Sequence, residues 1–423
     1  MPESFLHFLW RWRRFDAQNL LTTQGQTLEI LQPGEHNTHA GPDFFNARIR
    51  IGDTLWAGNV EIHLQASEWL AHKHQEDPAY DNVVLHVVLE EDQPVFRSGD
   101  GSRLPCLLLQ GRIPPKLLTT YQRLEHERAW IPCASFFAAT PDIIRLNWLD
   151  RMLVERLEQK TATITELLIA TENHWEVAFY RLLARNFGLK VNAEPFEALA
   201  RLLPLQVLAK HKNSRLQLEA LLFGQAGLLG GPFQEAYPQT LAREYRHLAH
   251  KYALTPLVAS QWKFLRLRPA NFPTVRLAQF AALVHQSAHL FSQVLATDGL
   301  RSLENLFTAQ PADYWRSHYQ FGKESRPNSK TLGRDFVQLL IINTVVPVLF
   351  HYGRSKGDGE MQTRALRLLE ELPAEKNAVL EDWAALGIRA HQAYQSQALL
   401  HLKTRYCDAK RCLECGIGNY ILK

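Results

Sequence analysis

Two carboxylates and one histidine in the amino-terminal part of the sequence form a pattern that could hold a divalent cation. Asp43 stands at the start of one segment that alternates apolar and polar residues, and Glu61 and His63 lie two residues apart in the next. Residues two apart in a strand share a face, so Glu61 and His63 should project the same way. A hairpin would bring Asp43 beside them, which predicts a cation site at a point open to solvent.

The segments around these residues predict a small mixed α/β domain. Ala47, Ile49 and Ile51 alternate with polar residues, as in a half-buried strand, and Asp53 with Thr54 should make the turn that follows. The first helix should lay an apolar face on the sheet. The predicted elements are a helix over Glu3–Arg14, strands over Leu28–Leu31, Phe44–Ile51 and Leu55–Leu64, a helix over Gln65–Gln75 and a strand over Val83–Leu89.

The order of Asp43, a hairpin, Glu61 and His63 resembles the PD-(D/E)xK nuclease superfamily, with histidine in the place of the motif lysine. The superfamily's core order of helix, three strands, helix and strand is similar to the predicted elements. The resemblance implies an α+β fold class, in which a restriction-endonuclease-like α/β domain has a mixed sheet flanked by helices. It also implies metal-dependent hydrolysis of phosphodiester bonds, with Asp43 and Glu61 as ligands of Mg²⁺ or Mn²⁺. Glu3 would match a glutamate that some members carry on the first helix, and His63 would stand beside the attacking water.

Histidine in place of lysine leaves several roles open. A histidine is mostly neutral near pH 7, so His63 could orient water, bind metal or do neither. Lys73 is a candidate substitute, because a lysine on the adjacent helix can still reach a phosphate. The alternatives are a catalytically lapsed nuclease fold that binds nucleic acid or protein, and a plain hairpin whose polar face carries Glu61 and His63.

Further histidines near this segment suggest a different metal site. His63, His72, His74 and His86 could surround zinc in a histidine-rich hydrolase. Residues two apart on a regular helix point about 200° from each other, so His72 and His74 need a break in the helix to share one ion. His86 lies inside an apolar run, which favours a core histidine with a hydrogen-bond partner.

Three cysteines near the carboxyl end have a spacing typical of metal ligands. Cys407, Cys412 and Cys415 form a Cys-x4-Cys-x2-Cys pattern, which suits Zn²⁺ or an iron-sulfur cluster. Cys133, Cys106 or His401 could supply the fourth ligand. The alternative is three free thiols in a compact helical tail.

The chain changes character after the first domain, which we place at residues 1–135. Residues 136–423 should form a larger all-α domain that ends in the cysteine cluster. Cations near aromatic residues, namely Lys212, Lys263, Arg266 and Arg268, could contact nucleic acid, although helix-surface packing is the favoured explanation. The predicted helices cover Leu149–Glu158, Glu176–Asn186, Pro195–Leu203, Leu216–Leu228, Thr240–Tyr252, Leu277–Ala296, Lys330–His351 and Gln362–Leu372.

Composition gives weaker guidance. The 423 residues are 46% hydrophobic and 21% charged, with a net charge of +4, which permits DNA or RNA as a partner without demanding it. The amino terminus lacks the order of a secretory signal and no run of eighteen apolar residues occurs, so we expect a cytoplasmic protein without a membrane partner.

Several longer segments resemble one family along essentially the whole chain. They include GPDFFNARIRIGDTLWAGNVEIH, WKFLRLRPANFPTVRLAQ, LLIINTVVPVLF and YCDAKRCLECGIG. These segments look like a family of uncharacterised bacterial proteins, domain-of-unknown-function family 2851. The resemblance implies no established activity.

Overall fold

A six-stranded mixed sheet lies at the centre of the first part of the chain in this computed structural model, which describes residues 1–287 and 289–423. The strand order is β1-β3-β4-β5-β6, with β2 paired to β3. The pairs around β3 are antiparallel, whereas β4, β5 and β6 run parallel. The strands are β1 (Leu28–Gln32), β2 (Glu35–His36), β3 (Phe44–Ile51), β4 (Thr54–Gln65), β5 (Val83–Glu90) and β6 (Cys106–Leu108).

The central hairpin forms where the alternation of residues predicts it. Ala47, Ile49 and Ile51 of β3 are buried, and the polar residues between them are exposed. The turn consists of Gly52 and Asp53, one residue earlier than predicted, because Gly52 adopts a positive φ of 58° that suits a tight hairpin. A register shift between Phe44 and Ala47 marks a β-bulge just after Asp43.

The second hairpin strand differs from the prediction of an open polar face. Glu61 is 4% exposed and His63 is 1% exposed, so both faces of this part of β4 are buried. The reason lies in the neighbours of the strand: β5 pairs along one edge and α1 packs against β4. The side chains of Glu61 and His63 are therefore buried and not open to solvent.

The first helix lays an apolar face on the sheet, as predicted. Phe5, Leu6, Leu9 and Trp10 of the first helix are buried, whereas Trp12 is exposed. The helices are α1 (Glu3–Trp12), α2 (Glu68–Ala71), α3 (Pro115–His126) and α4 (Ala134–Phe137).

The chain divides into two units at positions that differ from the expected ones. The first unit contains Met1–Trp148 together with Leu402–Lys423, and the second contains Leu149–His401. The expectation was a single boundary at residue 135, with the terminal cysteines in the helical domain. The final residues join the first unit because they pack on it; for example, the Tyr406 and Trp148 rings lie 5.4 Å apart.

The second unit is built almost entirely from helices, and every predicted helical segment overlaps at least one of them. A small two-stranded sheet, β7 (His318–Gln320) and β8 (Lys323–Glu324), is the exception. The prediction over Leu277–Ala296 includes Ala288, which lies outside the described residues. The remaining helices are α5 (Asp142–Ile169), α6 (Trp175–Phe187), α7 (Ala193–Leu202), α8 (Leu205–Lys210), α9 (Arg215–Gln225), α10 (Ala236–Tyr252), α11 (Pro273–Gln286), α12 (Leu290–Ala296), α13 (Leu300–Leu306), α14 (Arg334–Leu340), α15 (Val346–Lys356), α16 (Gly359–Glu371), α17 (Ala378–Ala385), α18 (Ala393–Leu402) and α19 (Gly416–Ile421), the last of which belongs to the first unit.

One helical stretch is long and apolar enough to cross a membrane. It runs over Arg334–Lys356 and includes a π-helical turn at Ile341–Val345. Of its most apolar window, 72% is buried inside the protein, which is typical of a core helix.

Candidate metal centre

Two hydrogen bonds, each from a main-chain N–H to a side-chain carboxylate, hold Asp43 and Glu61 side by side. The Asp43 N–H donates to Glu61 Oε2 at 3.0 Å, and the Ile62 N–H donates to Asp43 Oδ2 at 2.9 Å. Both bonds depend on the antiparallel pairing of β3 and β4, in which Phe44 lies opposite Val60. The sheet backbone thus fixes the two carboxylates relative to each other.

Three imidazole rings gather on the other side of Glu61. Glu61 Oε1 lies 3.2 Å from His74 Nε2 and 3.6 Å from His63 Nε2. One ligand nitrogen from each of His63, His72 and His74 lies within 4.8 Å of the others, and no second group of this kind occurs among residues 1–287 and 289–423. We call Asp43, Glu61, His63, His72 and His74 the acid-histidine cluster.

A break in the chain after α2 allows His72 and His74 to approach each other. The helix predicted over Gln65–Gln75 is shorter than expected, because α2 covers only Glu68–Ala71 and a separate 3₁₀ turn begins at His74. Between them Lys73 adopts the left-handed conformation, with a φ of 61°. This reversal removes the constraint of a regular helix, and the two rings lie 5.4 Å apart.

Lys73, predicted as a substitute for the motif lysine, lies at the surface of the first unit. Its side chain is exposed, and no hydrogen bond or ion pair joins that side chain to the described part of the chain. What Lys73 contributes to the local fold is its left-handed backbone conformation, which lets the rings of His72 and His74 approach each other.

A buried histidine pair lies behind the cluster. His63 Nδ1 and His86 Nε2 share a hydrogen bond of 2.9 Å, in agreement with the expectation of a buried histidine with a partner. Burial, followed by the neighbouring histidines, lowers the pKa of His63 to about 2, and burial lowers the pKa of His86 to about 3. His63 is therefore neutral at physiological pH and can present a free nitrogen lone pair to a cation.

Burial also changes the titration of Glu61 and of a nearby tyrosine. Burial raises the pKa of Glu61, and the charge of Asp43 adds to this effect. Tyr80 stacks on the His74 ring at 3.8 Å, and burial with the charges of Glu61 and Asp43 raises its pKa to about 12. Tyr80 therefore remains a neutral hydrogen-bond donor beside the cluster.

His7 and Glu3 of α1 border the cluster on the Asp43 side. His7 Nε2 lies 3.3 Å from Asp43 Oδ2 and 3.7 Å from Glu3 Oε1. Burial acts to lower the pKa of His7, but the contact with Asp43 and the charge of Glu3 outweigh it, so the pKa is raised. Burial likewise raises the pKa of Glu3. The His7 ring thus lies between the carboxylates of Glu3 and Asp43. Glu3 was predicted as a metal ligand, and in the structure it reaches Asp43 only through His7.

Two clefts lie beside the cluster region, one lined by His7 and the other by His74. One, of about 550 Å³, is lined by His7 and His36 and also by Arg11, Trp12, Lys410 and Arg411; we call it the His7 cleft. The other, of about 380 Å³, is lined by His74 and Tyr80 together with Trp56 and Arg97; we call it the His74 cleft. Each cleft therefore combines cations with an aromatic ring next to the candidate site.

The chain matches a family model described as "Protein of unknown function (DUF2851)" over residues 3–378. It belongs to this family. No curated protein and no solved structure matches it. The matched region of this DUF2851 protein includes the whole acid-histidine cluster and ends before Cys407.

The basic residues predicted to contact nucleic acid lie in the second unit of the DUF2851 protein. Lys263, Arg266 and Arg268 are exposed, whereas Lys212 is half-buried. The neighbouring aromatic residue does not offer a stacking surface, because Trp262 is buried and its Nε1 donates to the Ala226 carbonyl oxygen at 2.8 Å. The loop thus presents cations and no free indole ring.

The predicted cysteine ligands, Cys133, Cys407, Cys412 and Cys415, all belong to the first unit, as does the alternative ligand Cys106. Cys106 lies in β6 beside Glu91 and Arg103. The other alternative, His401, belongs to the second unit, where its Nε2 lies 3.6 Å from Glu155 Oε2.

Sequence reasoning missed His7 and Tyr80. His7 follows Glu3 by four residues, a spacing that places both on one face of a helix. This signal was available in the sequence. Tyr80 carried no such signal, because its place against His74 depends on the two short 3₁₀ turns His74–Glu76 and Pro78–Tyr80.

Proposed function

We propose that this DUF2851 protein is a metal-dependent hydrolase of phosphodiester bonds in DNA or RNA, with its centre at the acid-histidine cluster. The observation that carries the proposal is the fixed pair of Asp43 and Glu61, with three imidazole nitrogens grouped within 4.8 Å beside it. The order of α1, β1, the hairpin, α2 and β5 supports the nuclease class, since it is similar to the core of the PD-(D/E)xK superfamily.

The ligand atoms favour Zn²⁺ or Mn²⁺ over Mg²⁺. Mg²⁺ prefers oxygen ligands and retains several waters, whereas imidazole nitrogens suit transition metals. Glu61 with His63, His72 and His74 would hold such an ion, and Asp43 would support it from the neighbouring strand. A bound ion of this kind polarises a phosphate oxygen and lowers the pKa of a bound water.

The remaining residues have roles that follow from their contacts. His86 fixes the ring of His63 through the 2.9 Å hydrogen bond, which orients the nitrogen that faces Glu61. His7, whose pKa is raised beside Asp43, is placed to donate a proton to a leaving oxygen. Substitution of His7 with Gln should then remove the alkaline limb of the pH dependence of kcat.

The two clefts provide a path for a nucleic-acid strand. Arg11 and Lys410 in the His7 cleft can contact phosphates, and the half-exposed Trp12 ring can stack on a base. In the His74 cleft the Arg97 guanidinium lies 5.9 Å from the centre of the partly exposed Trp56 ring. Stacking surfaces of this kind favour single-stranded substrates or unpaired ends.

The exposed loop of the second unit provides a further contact for nucleic acid. Asn192 fixes it through two hydrogen bonds of 2.9 Å to the main chain of Lys263. Leu265 is 89% exposed at its tip, flanked by exposed Arg266 and Arg268. Because the anchoring bonds use only main-chain atoms of the loop, its cations remain free to meet phosphates.

The deciding experiment is a cleavage assay on labelled single- and double-stranded DNA and RNA. The chelator-treated full chain is supplied with Zn²⁺, Mn²⁺ or Mg²⁺, and wild type is compared with Asp43→Asn, Glu61→Gln and His72→Ala. Each substitution should lower the rate by roughly 100-fold or more, because it removes a metal ligand or its support. Asp53→Asn is the matched control, since Asp53 is an exposed acid in the turn of the same hairpin.

The outcomes separate the proposal from its alternatives. Cleavage that is unchanged in Asp43→Asn and Glu61→Gln would refute the assignment of the centre. Salt-dependent binding without cleavage in any of the three metals would select the lapsed, binding-only fold.

The loop of the second unit is tested by binding alone. Arg266→Glu with Arg268→Glu should weaken binding to all sequences and reduce the dependence of log K on log salt by about 1 for each phosphate that is no longer neutralised. An unchanged salt dependence would show that these cations do not contact nucleic acid. Lys190 is an exposed lysine in the same unit. Lys190→Glu changes the charge by the same amount as Arg266→Glu or Arg268→Glu alone, so it is the control for each single substitution.

A further inference from the structure

The carboxyl-terminal cysteines fold against the segment that carries Cys133. The Lys403 ammonium lies 4.8 Å from the centre of the Trp130 ring, and the Tyr406 ring lies 5.4 Å from that of Trp148. Gly416 packs so closely that a Cβ atom there would overlap the Trp148 ring. Residues separated by more than 250 positions in sequence are thereby brought to one place in the first unit.

The backbone around the three late cysteines turns tightly. Cys407 ends a π-helical turn over Lys403–Cys407, a form often found at functional sites. Lys410 then adopts a positive φ of 51°, and the Cys415 N–H donates to the Cys412 carbonyl oxygen at 3.3 Å. A Cβ atom at Gly418 would overlap that same carbonyl oxygen, so the chain closes around Cys412.

The four thiols share one buried environment. Cys133 and Cys415 are buried, and Cys407 and Cys412 are half-buried. The Cys133 thiol lies near enough to those of Cys412 and Cys415 to interact with them electrostatically, and the Cys412 thiol interacts in the same way with that of Cys415. The Cys407 thiol interacts electrostatically with the other three thiols. The fifth cysteine, Cys106, has no thiol among the neighbours that shift its pKa.

The spacing of the sulfurs fits an iron-sulfur cluster better than a single zinc ion. Four sulfurs bound to one zinc at about 2.3 Å stand about 3.8 Å apart in a tetrahedron. Among residues 1–287 and 289–423, the histidine group is the only set of three ligand atoms within 4.8 Å, so no three of these sulfurs meet that limit. Cysteine sulfurs that bind different irons of one cluster stand farther apart than those around a single zinc. This agrees with four thiols that interact electrostatically although no three of them lie within 4.8 Å of one another.

Hydrogen-bond donors also face the sulfurs. The main-chain N–H groups of Ile417 and Gly418 donate to the Cys415 sulfur, and the Trp148 side chain contacts it as well. The cations of Lys403 and Lys410 act on Cys407 and Cys412. Hydrogen bonds and positive charge around the sulfurs offset the negative charge of a thiolate-bound cluster.

We propose that Cys133, Cys407, Cys412 and Cys415 bind an iron-sulfur cluster within the first unit. Cys133 is the ligand that sequence spacing alone left undetermined, because it precedes the other three by most of the chain. The proposal is independent of hydrolysis at the acid-histidine cluster, since it uses none of that cluster's residues.

The test begins with the full chain, purified without oxygen and reconstituted with iron and sulfide if needed. We expect iron and acid-labile sulfide in equal amounts, about two or about four of each per chain, with a visible charge-transfer band. Cys133→Ser and Cys412→Ser should each lower the iron content at least several-fold. Cys106→Ser is the matched control, because Cys106 is 2% exposed and lies in β6, away from the set.

A measurement on wild type guards against variants that fail to fold. X-ray absorption at the iron edge should show a shell of sulfur and a second shell of iron. The proposal is overturned by one equivalent of zinc without iron, by an absence of metal after reconstitution, or by iron with only nitrogen and oxygen neighbours. It is also overturned if Cys133→Ser and Cys412→Ser retain the full cluster.

Discussion

The stability of the metal-free protein should depend on pH through the buried pair of His63 and His86. Both rings are about 1% exposed and share one hydrogen bond. The pKa of His63 is lowered from 6.5 to about 2, so the folded protein binds fewer protons than the unfolded chain below pH 6.5. The contribution of His63 to the free energy of unfolding is therefore complete above pH 6.5 and is lost as the pH falls toward 2.

The expected magnitude follows from the width of that interval. Between pH 6.5 and pH 4.5 the loss is about 1.4 kcal/mol per pH unit, or about 2.7 kcal/mol for His63. His86, whose pKa is lowered to about 3, adds a loss of the same sign over the same interval. His63→Gln keeps a polar side chain of similar size but cannot titrate, so it should remove about 3 kcal/mol of the pH dependence.

Two measurements check this prediction on chelator-treated protein. Urea unfolding at pH 7.5 and pH 4.5 gives the free energy of unfolding for wild type, His63→Gln and the control His39→Gln. His39 lies exposed in a loop, so the control should retain the wild-type pH dependence. NMR of the labelled imidazole rings reports His63 directly, and its signal should not titrate above pH 4.5. A titration midpoint near 6.5, or equal pH dependence in all three proteins, would refute the reasoning.

Two further predictions concern metal binding and packing. Zn²⁺ or Mn²⁺ at about 100 times its dissociation constant should stabilise the first unit by about 2.7 kcal/mol, which raises its Tm by roughly 5 to 10 °C. His72→Ala should abolish the shift and His39→Ala should retain it; a full shift in His72→Ala would contradict the ligand assignment. In the second unit, Gly224→Ala should lower the free energy of unfolding by about 1 to 3 kcal/mol, although alanine favours helices, because the new Cβ overlaps the Tyr245 ring. Gly230→Ala, which meets open space, should change it by less than about 0.5 kcal/mol, and thermal unfolding of both variants checks the difference.

Local patterns in the sequence were sufficient to predict most elements. The alternation of Ala47, Ile49 and Ile51 identified β3, and helical spacing identified the helices of the second unit. These patterns depend on which residues face a core, and that information is contained in a few neighbouring positions. Asp43 was placed beside Glu61 for the same reason, because a hairpin pairs residues that are near in sequence.

Features that depend on distant parts of the chain could not be predicted in this way. The burial of Glu61 and His63 follows from the position of β4 between β3 and β5, which the pattern of one strand does not contain. The break at Lys73 is a single left-handed residue that leaves no mark on hydrophobic periodicity. For that reason the approach of His72 to His74, on which the metal proposal depends, became visible only in the structure.

The split arrangement of the first unit has a consequence for its synthesis. Residues Met1–Trp148 leave the ribosome long before Leu402–Lys423, with the whole of Leu149–His401 translated between them. Domains generally fold as the chain emerges, yet Trp148 and Cys133 must wait for partners from the final segment. During translation the apolar Trp148 ring therefore lacks its Tyr406 partner, and a chaperone that covers it until Leu402–Lys423 emerges would favour correct folding.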